Sequence, residues 1–295
     1  MTASAASNPN APAVIDGLAK IADRFDAFIL DLWGCIHDGE RAYPGAIDAL
    51  ARLQSAGKRV LVLSNAPRRA QVVADGLVRF GIGPAHYNAV LTSGEMTWQA
   101  LARRDDPWHL ALGKRALLVG PERDQSMVVG NGLDAVDRVS VAQFLLVTGP
   151  QSDDFVLDDQ VPLLAEALDR RLPLLCANPD LEVMKGATRL ICAGLLAQWY
   201  GAQGGDVRYH GKPYPSVYAE ARRLLGEPAP DRVLAVGDGL RTDIAGASAA
   251  GIASAFIPGG IHGKELGVAM GEVPSVERFA SASAPPTYIL PALRW

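Results

Sequence analysis

Five side chains with chemical potential stand where an apolar run stops or a tight turn begins. Asp31 follows Phe28-Ile29-Leu30, Ser64 follows Val60-Leu61-Val62-Leu63, and Lys212 lies in Gly211-Lys212-Pro213. Asp238 and Asp243 share the stretch Gly237-Asp238-Gly239-Leu240-Arg241-Thr242-Asp243-Ile244. A carboxylate at a strand end can act as a nucleophile toward phosphorus or ligate a hard cation such as Mg²⁺; the same residue also closes an Asx turn. Two carboxylates in one strand-to-helix turn suit Mg²⁺, because the second anionic ligand offsets desolvation of the cation. Asp243 equally fits as a favourable charge in a helix's first turn.

Ser64-Asn65 offers a hydroxyl and backbone N–H groups to phosphate oxygens at a helix start, or caps that helix. Lys212, beside a proline that stiffens its turn, can neutralise a phosphate or a developing charge, or remain a solvated surface lysine. What unites Asp31, Ser64, Lys212 and Asp238 is position. Each is expected at, or just beyond, the C-terminal end of a strand, the edge at which open parallel sheets bind ligands, with Asp243 one turn beyond.

The elements that place them follow from periodicity. Apolar runs predict strands at 25–30, 59–63, 115–119, 144–147, 173–176, 207–210, 232–236 and 253–257, and helical patterns cover 44–56, 67–80, 94–104, 161–171, 187–200, 216–225 and 242–250. Alternating strands and helices predict an α/β chain with a doubly wound parallel sheet. The pattern at the two ends is interrupted by another set of strands. The expected layout is a loose tail at 1–13, a discontinuous core of 14–92 and 205–295, and an inserted α/β domain of 93–204, with the glycine- and glutamine-rich 201–205 as linker.

Length and composition agree. A chain of 295 residues suggests two domains. Its 28 basic and 32 acidic residues give a net charge of −4, without the basic excess of a nucleic-acid binder. Cys35, Cys176 and Cys192 form no CxxC pair, which argues against a disulfide framework or thiolate zinc site and for a reducing compartment. No apolar run approaches the roughly 20 residues of a membrane span. The first dozen residues lack the basic start and apolar stretch of a secretion signal, so the cytoplasm is the expected location. No GxGxxG follows the first strand, which counts against a dinucleotide site.

Taken in order, these motifs resemble the haloacid dehalogenase (HAD) superfamily, and within it the class IIA cap-bearing phosphatases of sugar phosphates, nucleotides and p-nitrophenyl phosphate. Asp31 resembles the first motif's nucleophile, Ser64 the second motif's hydroxyl, Lys212 the third, and Asp238 with Asp243 the fourth. The stretch between Ser64 and Lys212 is the size of a class IIA cap, and Ala177-Asn178-Pro179-Asp180 resembles a motif near the entrance of such sites. The resemblance implies a HAD-like Rossmannoid core and a phosphatase that forms an aspartyl-phosphate on Asp31. It implies Mg²⁺ held by Asp31, Asp238, Asp243 and the carbonyl of Trp33, and a substrate held by Ser64, Asn65, Asn178 and Lys212. It further implies a small phosphorylated metabolite as ligand, neither nucleic acid nor membrane as partner, and a homodimer through the cap.

The sequence departs from the resemblance at Trp33, where phosphatases of this superfamily usually carry a second Asp as general acid and base. The carbonyl ligand survives this change and the proton donor does not, which removes an effect of about 10²–10⁴-fold. Three readings follow. His37 or Asp38 takes over the proton; the substrate's leaving group needs none; or the chain binds a phosphorylated ligand without turnover, in a regulatory role. His37 also reads as a plain loop residue, and Trp33 as packing or a stacking platform. Trp98, Trp108 and Trp199 read as core.

Overall fold

Strands that read as unbroken apolar runs are covered on both faces, and the two strands carrying Asp31 and Asp238 are of this kind. The computed structural model describes residues 11–186, 188–279 and 282–295. With strands numbered along the chain, β2 (Ala27–Asp31) and β12 (Val233–Gly237) are buried at every residue. They pair in parallel, from Val233 against Ala27 to Val236 against Leu30. Parallel pairing continues from β12 to β13 (Ala253–Phe256), then β14 (Tyr288–Ile289), then β1 (Ala13–Val14). With β3 (Arg59–Ser64) and β4 (Ala89–Thr92) they form a seven-stranded sheet in the order β1-β14-β13-β12-β2-β3-β4.

The chain divides into two compact units, Met1–Val62 with Phe80–Ala89 and Ala221–Trp295, and Leu63–Arg79 with Val90–Glu220. In the first unit, helix α1 (Ala46–Ser55) buries Ala46, Ala49, Leu50 and Leu53, the stripe of a helix lying on a sheet. Ile244, Phe256, Phe279 and Ile289 form a cluster that underlies the turn after β12.

The second unit contains α2 (Ala70–Leu77), α3 (Ser93–Arg103), α4 (Pro107–Ala111), α5 (Leu157–Asp169) and α6 (Ala193–Ala202). Its sheet, in the order β11-β8-β7-β5-β6, is made of β5 (Arg115–Val119), β6 (Asp134–Val136), β7 (Phe144–Val147), β8 (Leu174–Cys176) and β11 (Val207–Tyr209), all parallel. Successive side chains alternate between faces. Leu117, Val119, Leu145, Val147, Leu174 and Cys176 pack with Leu164, Leu196 and Tyr200 of α5 and α6. Ala116, Phe144, Leu146 and Leu175 pack with Leu101, Leu112 and Met127 on the other side. Trp199 rests on the first cluster and Trp98 and Trp108 on the second, all three half-buried and packed against the core rather than inside it.

The α/β parallel architecture stands, with local corrections. The helix expected over 187–200 begins only at Ala193. Before it, β9 (Glu182–Lys185) and β10 (Thr188–Ile191) form an antiparallel hairpin, with Ile191 opposite Glu182. β-Branched Thr188 and Ile191 favour extended chain, and Gly186 supplies the positive φ (+56°) its turn needs. Residues 201–205 are the end of α6 and the turn into β11, wholly inside the second unit. The helix expected over 242–250 opens instead as a π turn, Leu240–Ile244. Most of the expected tail lies outside the described residues, and its last residue, Ala13, is in β1. Among the described residues no helix is long and apolar enough to cross a membrane.

Candidate active site

β2 and β12 deliver their acids to one place. One carboxylate oxygen each from Asp31, Asp238 and Asp243 lie within 4.8 Å of one another, and all three residues are no more than 7% exposed. Asp243 reaches back because of the π turn: the Gly239 N–H donates to its Oδ2 (3.1 Å). A Cβ on Gly237 would lie 2.2 Å from the Asp243 carboxyl carbon, so only glycine fits there. Asp238 is enclosed in the same manner. Ile261 N–H donates to its Oδ2 (2.6 Å), and a Cβ on Gly34 or Gly260 would lie 1.8 or 2.0 Å from that oxygen. Leu240 N–H donates to His262 Nε2 (3.2 Å), which ties the loop after β13 to the π turn.

Three buried carboxylates in mutual reach repel one another and lose hydration, which a divalent cation reverses. The donors are all hard oxygens, the set that suits Mg²⁺ or Ca²⁺ rather than a soft metal. The site residues therefore fit such an ion.

The second unit holds the other expected residues. Ser64 ends β3, buried, and its Oγ accepts from Ala66 N–H (3.1 Å). Asn65, also buried, grips Lys212 by its main chain: Lys212 N–H donates to Asn65 Oδ1 (2.8 Å), and Asn65 Nδ2 donates to Lys212 O (3.1 Å). Lys212 is itself buried and precedes a cis proline bond. Asn178 Oδ1 accepts from Asp180 N–H (3.0 Å), which gives that side chain the role of closing a turn.

Residues 28–134 and 85–251 match haloacid dehalogenase-like hydrolase families, and 209–294 a HAD-hydrolase-like family. The D-glycerol 3-phosphate phosphatase of Mycobacterium tuberculosis is 31% identical over 253 residues, covering 83% of this chain and 66% of that protein. The chain thus spans just under two-thirds of that relative's length. A haloacid dehalogenase-like hydrolase from Brucella suis 1330 shares 30% identity and a TM-score of 0.83, over 95% of this chain and 100% of that one. The glycerol phosphate phosphatase of M. tuberculosis in complex with magnesium shares 29% identity and a TM-score of 0.69, over 91% and 75%. The chain belongs to the haloacid dehalogenase-like hydrolases.

The loop after Asp31 is closely packed. Trp33 bridges to His37, and its ring lies over Gly39, where a Cβ would come within 2.4 Å of it. His37 is buried between Trp33 (5.2 Å, edge-on) and Phe80 (4.4 Å, stacked), and its Nδ1 accepts from Gly39 N–H (3.0 Å). The ring is thus part of the loop's packing. Asp38 accepts from Glu40 and Arg41 N–H groups (2.9 and 2.8 Å). Its slight burial pulls its pKa up, but these bonds and the Arg41 charge outweigh that and hold the carboxyl below its usual range. A carboxyl kept ionised is a poor proton donor. Burial pushes the Tyr43 hydroxyl up to about 12, and the charges of Asp238 and Asp38 add to this.

Sequence reasoning placed Asp31, Asp238 and Asp243 together. It missed Gly34, Gly260 and Ile261 around Asp238, and Ser93, whose Oγ reaches Asn65 O (2.7 Å) and Ala177 O (2.6 Å). The glycines were visible as residues, but their partner is distant in sequence.

Proposed function

We propose that the chain is a Mg²⁺-dependent phosphatase of a small phosphorylated metabolite, working through an aspartyl-phosphate on Asp31. The observation that carries this reading is the convergence of three buried carboxylates at the ends of two central strands. Asp31, Asp238 and Asp243 would hold the ion, with the Trp33 carbonyl as a further ligand. When bound, Mg²⁺ supplies positive charge against the carboxylates and the phosphoryl oxygens.

In the first step an Asp31 oxygen attacks phosphorus as the bond to the leaving oxygen breaks, and the alcohol's oxygen takes a proton from water or an acid. In the second, water attacks the phosphoryl group, which releases inorganic phosphate and restores the carboxylate. Ser64 and Lys212 hold phosphoryl oxygens, with the Lys212 ammonium offsetting their charge. The relatives' named substrate makes short polyol phosphates the first to try.

The test is a turnover screen over phosphorylated metabolites with Mg²⁺, run beside Asp31→Asn. Release of phosphate by the wild type and not by the variant supports the reading; equal rates would end it. Trp33 motivates a second reading, a ligand-binding protein without turnover, which saturable phosphate-ester binding with no release would support.

A further inference from the structure

We propose that the side chain of Asn65 positions Lys212 and is not itself a ligand of the substrate, and that Asp180 locks it in that role. The proposal rests on the phosphoryl-transfer reading for what Lys212 does. A side-chain amide has two N–H donors, and a phosphate oxygen accepts only from donors. Both hydrogens of Asn65 Nδ2 are engaged, one by Asp180 Oδ1 (2.8 Å) and one by Lys212 O (3.1 Å). Its Oδ1 faces Lys212 N–H (2.8 Å), so the partners also fix which way the amide points. Lys212 is held at both main-chain polar groups, as a neighbouring strand would hold it.

The surroundings are built for this contact. Gly211 has φ +116°, and a Cβ there would lie 2.5 Å from Asn65 Oδ1 and 2.7 Å from the Ser93 Cβ. Ser93 Oγ bridges Asn65 O and Ala177 O, and Asn178 Oδ1 holds Asp180 N–H. One network therefore joins four segments, 64–66, Ser93 at the start of α3, 177–180 and 211–213, at the Lys212 backbone. A lysine ammonium sits on a flexible four-carbon stem, so its reach is set by where its Cα is fixed. Small displacements of a catalytic group are expensive, about 10²-fold for 1 Å.

A double-mutant cycle on the full chain with Mg²⁺ and p-nitrophenyl phosphate tests this, with melting curves to verify folding. Asn65→Ala is expected to lower kcat by about 30-fold or more with KM changed less than about threefold. In a Lys212→Ala background the same change is expected to lower kcat by less than about threefold, because the group being positioned is gone. An undiminished loss in that background would show that Asn65 acts on the substrate directly and overturns the proposal. Should Asn65→Ala fail to fold, Asp180 gives an independent arm. Asp180→Asn keeps an acceptor for Asn65 Nδ2, and its loss is expected to be at least about fivefold smaller than that of Asp180→Ala; equal losses would overturn the locking role. If the wild type shows no turnover, the phosphatase reading fails, and the same cycle is read on Mg²⁺-dependent affinity for inorganic phosphate. Absence of both turnover and phosphate binding overturns both statements.

Discussion

Gly34 stands so close to the Asp238 carboxylate that a methyl group on its Cα would lie 1.8 Å from Oδ2, and its φ is +75°. Two constraints therefore meet at one residue: a left-handed backbone that disfavours any Cβ, and no room for one. Gly34→Ala is expected to push Asp238 out of the carboxylate cluster and lower turnover by about 10²-fold or more. The backbone strain adds about 1–2 kcal/mol of destabilisation. Gly260→Ala meets the same oxygen at 2.0 Å without the left-handed strain. It should lose activity while keeping more of its thermal stability. Mg²⁺ titrations of both variants, read by melting temperature and phosphate release, check the pair; a fully active Gly34→Ala would remove the argument.

The buried acids Asp31, Asp238 and Asp243 should make folding sensitive to the ion they fit. A ligand that binds only the folded chain stabilises it by about 2.7 kcal/mol at one hundred times its dissociation constant. Saturating Mg²⁺ is thus expected to raise the melting temperature, and Asp243→Asn to shrink that rise. EDTA should abolish turnover while the far-UV circular dichroism stays unchanged. Full activity in EDTA would contradict the metal reading.

Much of this site could be read before any coordinates. Asp31 closes a buried strand that is otherwise apolar, and Asp238 directly follows a buried strand of Val, Leu, Ala and Gly, so both the strands and their shared sheet edge were legible in the sequence. What hid was contact between distant segments. Nothing local marks Gly260 as a wall of the Asp238 site, or Asn65 as a clamp on a residue 147 positions away. The helical pattern over 187–200 takes in β10 because Thr188–Ile191 is short and runs almost directly into α6. The sequence shows Trp33 but not the packing of its ring over Gly39 and against His37.

His210 links to the Asp106–His109 pair through its Nε2, 3.0 Å from His109 Nε2, while Asp106 bonds His109 Nδ1. Its Nδ1 is buried without a hydrogen-bond partner among the described residues. Burial lowers the His210 pKa to about 4; the neighbouring His109 and Arg208 add to this, and Asp106 opposes it. The unfolded chain, with histidine near 6.5, binds the proton more readily, so stability rises with pH across this window. His210 thus favours folding above pH 6.5, and that contribution is lost as pH falls toward 4, on the order of 3 kcal/mol in all. Urea midpoints between pH 7 and 4.5 should fall more steeply for the wild type than for His210→Asn. Parallel curves would show that His210 does not titrate in this range.

Trp33 should make the rate depend on how well the leaving group departs unaided. With an indole at this position and Asp38 held ionised, the leaving oxygen must take its proton from solvent or carry its charge away. Aryl phosphates tolerate this far better than alkyl phosphates. Wild-type turnover is accordingly expected to favour p-nitrophenyl phosphate over glycerol 3-phosphate by a wide margin. Trp33→Asp places a carboxyl two residues after Asp31, and the rate on the alkyl ester should rise by about 10²-fold or more, with a much smaller gain on the aryl ester. The variant will be less stable, because the ring packed over Gly39 and edge-on to His37 is lost. Trp33→Ala loses the same packing without supplying an acid, and should show no such selective gain. Equal gains on both esters, or a gain in Trp33→Ala, would mean that the indole restricts access to the site and that proton supply is not the limiting step.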